Sequence, residues 1–173
     1  TNLQYEAKKG FGEKHTKVQG LETGSMTARL SNDNSPIKYD YSITYYDFND
    51  RIVQLKATNH LGGYEKTYYA YNFTGNPIHI MHVHSNDKSE LVDENKHIYD
   101  KMGRLLKTTK ILNNQDSIIS VYQYDELGNL KKTNRTDNNH ALTMAQTFDI
   151  RNQLKSIQSP FFSQTLHYID STD

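Results

Sequence analysis

The stretch Tyr122-Gln123-Tyr124-Asp125-Glu126-Leu127-Gly128-Asn129-Leu130 decides how this chain is read. An alternating aromatic run stops at Asp125, and Leu130 restores the apolar pattern beyond a short polar interruption. Asp at the first turn position and Gly at the fourth suit a type I turn. The Asp carboxylate can accept a hydrogen bond from the backbone N–H two residues on. A three-residue hairpin loop then needs a left-handed residue before the return strand, which forms a bulge, and Gly128 supplies it. In this register Asp125 faces Asn129, and Tyr124 faces Leu130 on the same side of a sheet.

The pattern recurs. Copies begin at Tyr46, Tyr71, Tyr99, Tyr124 and Phe148, at intervals of 25, 28, 25 and 24 residues. A period of that size is a repeat architecture, with room in each unit for two strands and two turns. The left-handed position is Gly75, Gly103 or Gly128 in three copies. In the other two it is Asp50 or Asn152, the residue types other than Gly that best tolerate that conformation. The same logic pairs Tyr46 with Ile52, Tyr99 with Leu105 and Phe148 with Leu154. Pro77 takes the apolar place opposite Tyr71 and, lacking an N–H, belongs at a bulge or an unpaired edge.

Between the copies, residues spaced by two carry the apolar and aromatic character: Tyr41, Ile43 and Tyr45; Thr67, Tyr69 and Tyr71; Ile118, Ser120, Tyr122 and Tyr124. That is strand periodicity, and no sustained helical period competes with it. At most a single helical turn is expected near Leu91. The expected fold is all-β, a curved antiparallel sheet of consecutive hairpins over 39–173. Residues 1–38, punctuated by Gly10, Gly12, Gly20 and Gly24, form an irregular segment that covers or extends the sheet edge, with one strand between Leu21 and Leu30. Second turns fall at Asn59–Gly63, Asn113–Asp116 and Asp137–His140. The polar run Ser85–Asn95 accounts for the longest interval and reads as a mobile loop.

Composition narrows the function classes. Net charge is zero, with 20 basic and 20 acidic residues and no basic cluster, so no nucleic-acid footprint is expected. The absence of Cys excludes disulfides, thiolate metal sites and Cys nucleophiles. No run approaches the ~18–20 apolar residues of a membrane helix. Hydrophobic residues make up 35%, offset by 13 Tyr and 6 Phe, whose rings suit wide, half-exposed sheet faces. The chain opens and closes mid-pattern, as a piece of a longer protein would.

Three groups of residues raise chemical possibilities. Asp47, Asp100, Asp125 and Asp149 resemble repeated carboxylates, but turn formation accounts for all four, together with Gly103 and Gly128. His82 and His84 share a strand face and are the candidate metal ligands, with His79 on the other face. A zinc site wants three or four convergent ligands, and no second motif supplies them, so no metal and no cofactor is expected. Tyr41, Tyr45, Tyr69 and Tyr122 are the candidate binding residues, because aromatic platforms on sheets stack sugars or peptides.

The cores Tyr99–Leu105, Tyr124–Leu130 and Tyr71–Asn76 resemble the YD repeats, also called RHS repeats, over roughly residues 39 to 158. Gly20–Gly24 and Thr58–Gly63 are also similar to large RHS-repeat surface proteins of Bacteroides-type bacteria. The resemblance implies a strip of hairpins forming part of a β-shell, without catalysis, in a bacterial cell-surface or secreted protein. Its first partners are other repeats of the same long chain. The alternative it implies is a carbohydrate- or protein-binding module presenting a Tyr-rich face to a cell-surface glycan or protein. Exposed sheet edges make self-association a further expectation.

Overall fold

A computed structural model describes residues 3–29, 36–137 and 140–168. Twelve strands follow one another in a single antiparallel order: β1 (Gly24–Arg29), β2 (Lys38–Tyr46), β3 (Ile52–Thr58), β4 (Tyr64–Tyr71), β5 (Pro77–Ser85), β6 (Glu90–Tyr99), β7 (Leu105–Leu112), β8 (Asp116–Tyr124), β9 (Leu130–Thr136), β10 (Ala141–Phe148), β11 (Leu154–Gln158) and β12 (Ser163–Thr165). Among the described residues there is no helix, and the sheet is open, with β1 and β12 outermost. Two compact units divide the chain: Thr1–Lys96 with Ile111–Gln115, and His97–Lys110 with Asp116–Asp173.

The turns form as their residues dictate. Asp47, Asn72, Asp100, Asp125 and Asp149 each donate their N–H to the carbonyl four residues on, at 2.9 Å. The left-handed residues are Asp50 (φ 60°), Gly75 (87°), Gly103 (80°), Gly128 (90°) and Asn152 (65°). Tyr46 pairs with Ile52, Tyr71 with Pro77, Tyr124 with Leu130 and Phe148 with Leu154. Pro77 therefore sits beside a register shift. Each of these return strands then inserts one extra residue, at Val53, Ile78, Lys131 or Lys155, so Tyr45 pairs with Gln54 and Gln123 with Lys132. Such a bulge bends the strand and increases its local twist. Simple alternation beyond the turn does not reveal it.

Two expectations are corrected. Ser85–Asn95 is not a loop: a turn over Asn86–Ser89 closes on the Asn86 N–H to Ser89 carbonyl bond at 3.0 Å, and β6 starts at Glu90. Nor is there a helical turn at Leu91, which lies within β6 opposite His84. Its polar side chains find partners on β5: Asp93 stands opposite His82, and Glu94 bonds His79. The strand between Leu21 and Leu30 is β1; Leu30 itself lies outside the described residues, as do Asn138 and Asn139 of the Asp137–His140 turn.

In the first unit the residues before β1 lie as a strap over one face of β2–β5. Phe11 packs on Tyr68, ring centroids 5.8 Å apart, and on His79 at 4.4 Å. Beneath lies the small core of Tyr68, Met81 and Val83. Gln54 and Lys56, each only 2% exposed, satisfy their polar ends on the strap. Gln54 accepts from the Glu6 N–H (3.1 Å) and donates to its carbonyl (2.9 Å), while Lys56 Nζ donates to the Gln4 carbonyl (2.6 Å). Buried polar groups are tolerated only when satisfied in this way. The strap is thus part of the fold, and β1 beyond it extends the edge.

Candidate functional site

The repeated turn residues do two jobs at once. In the first copy, Asp47 Oδ1 accepts from the N–H groups of Asn49 (2.9 Å) and Arg51 (3.0 Å), and Oδ2 accepts from the Arg51 guanidinium at 2.8 and 2.7 Å. That guanidinium also lies 4.7 Å from the ring centroid of Tyr71, the opening Tyr of the next copy. The Tyr71 hydroxyl donates to the carbonyl of Ile52 at 2.7 Å, just before the bulge. The second unit repeats the arrangement. Asp100 Oδ1 accepts from Met102 and Arg104 N–H groups, and Arg104 Nε reaches Asp100 Oδ2 at 2.7 Å. Arg104 stacks 4.9 Å from the Tyr124 ring, whose hydroxyl donates to the Leu105 carbonyl at 2.9 Å. At Asn129 the amide substitutes for Arg: it donates to Asp125 Oδ2 at 3.0 Å and also to Asn152 Oδ1 of the following copy.

The hydroxyl–carbonyl bond also appears at both ends of the described array, each time with one partner outside the five legible copies. Tyr46 donates to the Glu22 carbonyl (2.7 Å), and Tyr168 to the Leu154 carbonyl (2.9 Å). The strand register agrees. In three of these bonds the residue two beyond the accepting carbonyl pairs with the residue three before the donating Tyr: Gly24 with Ile43, Gln54 with Tyr68, Ser156 with Thr165. Lys132 pairs with Ala145 in the same offset before Phe148, which has no hydroxyl. Gly20, left-handed at φ 73°, stands two residues before Glu22, as Gly103 stands before Leu105. β1 is therefore the return strand of a degenerate repeat, and β12 the first strand of another.

Electrostatics follow the turn geometry. Burial pushes the Asp47 carboxyl up, but the Arg51 guanidinium and the N–H groups of Arg51 and Asn49 outweigh it and hold the group below the ordinary carboxylate range. The Arg104 N–H and guanidinium do the same for Asp100, and the Asn129 amide and N–H for Asp125. A carboxylate held ionised by turn donors is a poor proton shuttle, since general acid–base work needs a pKa near the operating pH.

The candidate tyrosines do not share one platform. Tyr41 and Tyr45 lie on the strap-covered face: Tyr45 meets Tyr5 edge-on at 5.4 Å and donates its hydroxyl to the Leu3 carbonyl at 3.0 Å. Tyr41 is 44% exposed. Tyr69 points to the opposite face, alternating with Tyr68, and stacks on Tyr71 at 6.2 Å. Tyr122 lies in the second unit, half-buried and opposite Thr133. His82 and His84 converge, as their spacing requires, but on a carboxylate that sequence reading missed: Glu65 hydrogen-bonds His84 Nδ1 at 2.5 Å and lies 3.1 Å from His82 Nε2, a charge pair when that ring is protonated. The register that sets Glu65 opposite His84 brings them together. Among the described residues no group of three or more His, Asp or Glu side chains is placed to hold a metal.

No protein-family model matches this sequence, and no curated protein matches it.

Proposed function

We propose that this chain is a non-catalytic scaffold: a run of YD/RHS-type repeats forming part of a β-shell in a bacterial cell-surface or secreted protein. One observation carries the reading. The residues that define the motif join one repeat to the next at Arg51–Tyr71 and Arg104–Tyr124. Tyr supplies a hydroxyl and a ring to its predecessor, Asp organises its own turn, and Arg bridges the two. The test is a set of Tyr71→Phe, Arg51→Ala and Arg104→Ala variants of the whole chain, followed by unfolding. Each variant loses stability while binding to a broad glycan array stays unchanged. A variant that keeps full stability but abolishes binding of a glycan or protein would overturn the scaffold reading.

A second reading, a carbohydrate- or protein-binding module, has one feature in its favour. A cleft of about 420 Å³ lies between the strap and β2, lined by Lys14, His15, Ile43, Tyr45 and Tyr46. An aromatic-walled cleft with a cation at its rim suits a sugar. Binding on the array that disappears with Tyr45→Ala would support this module, and no binding at millimolar sugar would remove it.

A further inference from the structure

Charge is unevenly spread over the sheet. The strands β7 to β11 carry six basic residues and, apart from Asp116 at the start of β8, no acidic one. We infer that one face of the second unit docks an extended acidic polypeptide segment, running across the strands as the strap runs across the first unit. The inference rests on charge and register; neither the scaffold reading nor the cleft beside Tyr45 enters it.

The register gathers lysines that the sequence scatters. Lys132 pairs with Gln123, so both point away from the face of Tyr122 and Tyr124. Lys107 stands eight residues beyond Tyr99, as Lys132 stands eight beyond Tyr124. His97 bonds Thr108 at 3.1 Å, the counterpart of the Tyr122–Thr133 pair, so Lys107 takes the same face as Lys132. Lys131 and Lys155 are the extra residues of their bulges and are exposed. In the first bulge the extra residue, Val53, leans to the face of Gln54, since a Cβ on Gly12 of the strap would stand 2.4 Å from its Cγ1. Lys107, Lys131, Lys132 and Lys155 therefore form a row just beyond the turns of three successive copies. Among the described residues none of the four has an ion-pair partner, and Asp100 and Asp125 are held by their own turns.

The first unit shows how this face takes a chain. There the position of Lys107 and Lys132 is held by Gln54, which bonds both backbone groups of Glu6. The Glu6 carboxylate lies 3.4 Å from Lys56 Nζ and 3.9 Å from Lys66 Nζ. In the second unit the exposed Gln123 offers a like amide opposite Lys132. Successive copies are two strands apart, roughly 9.6 Å, and an extended chain covers that in about three residues. A segment with an acid at every third position meets the lysines of one copy after another. Other polyanions fit this face less well. Single-stranded nucleic acids and sugars lean on aromatic platforms, and the rings of Tyr122 and Tyr124 lie on the other face.

The probe is a labelled Gly/Ser peptide with Glu at every third position, titrated into the whole chain at low salt. Binding is expected, and it weakens as salt rises. Lys107→Gln, Lys131→Gln and Lys132→Gln together are expected to weaken it about tenfold or more. Lys9→Gln, Lys88→Gln and Lys101→Gln together change net charge equally on exposed residues elsewhere, and should leave binding within about twofold. A peptide of the same composition with its Glu residues adjacent is expected to bind several-fold more weakly. No binding at low salt, equal losses in the two triple variants, or equal binding of the two peptides would overturn the inference. Tighter binding of heparin or single-stranded DNA, abolished by the first triple variant, would also overturn it and assign the face to that polymer. Should the first triple variant fail to fold, acetylation of the unmodified chain decides. The peptide is expected to protect Lys107, Lys131 and Lys132 over Lys9, Lys88 and Lys101, and even protection would overturn the inference. Each of the overturning results would leave the scaffold reading standing, since that depends on locks inside one chain.

Discussion

Tyr heads four of the five copies, and at Tyr71 and Tyr124 its hydroxyl fills the carbonyl that precedes the bulge of the repeat before it. Tyr124→Phe removes the donor to Leu105 and is expected to cost about 1 kcal/mol, the usual worth of one such bond. The reverse change is the sharper test. Phe148 stands in the same register over Leu130 without a hydroxyl, so Phe148→Tyr is expected to gain about 1 kcal/mol in denaturant unfolding. The aspartates set a pH dependence. Asp47, Asp100 and Asp125 titrate below their ordinary range when folded, so their contribution is complete above about pH 4, the unfolded value, and is lost as pH falls through the lower folded values. Unfolding followed from pH 6 to pH 2 should show stability falling below pH 4, and Asp47→Asn should flatten part of that fall. The left-handed residues and the turn register were legible in the sequence because each has a single local cause. The Arg–Tyr stack and the hydroxyl–carbonyl bond were not, because they join residues about twenty positions apart.

At the scale of elements, polarity misled and register corrected. The run Ser85–Asn95 reads as a loop because its side chains are polar, yet the histidines of β5 give Asp93 and Glu94 partners within the sheet. The strap was legible only as a Gly-punctuated segment; its docking depends on Phe11, Glu6 and the partly buried β-face, which no local pattern announces. Phe11→Ala is expected to cost about 2 kcal/mol, less than the ~3–5 of a fully buried ring, because Phe11 is only half-buried. The same variant should raise hydrogen exchange in β4 and β5 above that in β10. Asn59–Gly63 proved to be a further turn of the motif's own kind, with Asn59 Oδ1 accepting from Leu61 and Gly63 at 3.1 and 2.9 Å. Gly63 has a separate reason to be Gly: an added Cβ would stand 1.9 Å from the Ser85 carbonyl oxygen. Gly63→Ala must move backbone, and a loss of about 2 kcal/mol or more is expected in thermal unfolding.

Taken as a whole, the molecule behaves as a one-dimensional array, in which each repeat is stabilised by its own turn and by its neighbours. Five repeats were legible from the sequence. The flanking half-repeats were not, because Glu22 serves through its carbonyl and Tyr168 stands outside any Asp–Gly turn; only shared register reveals them. Such an array makes energetic coupling local. The most direct measurement is a pair of double-mutant cycles on chain stability, Arg51→Ala with Tyr71→Leu, and Arg51→Ala with Tyr124→Leu. If the motif is a lock between adjacent repeats, the first pair couples by about 0.5–2 kcal/mol, while the second is additive within about 0.5 kcal/mol. Additivity in the adjacent pair would contradict the account, because the Arg and Tyr of the motif would then have no structural business with each other.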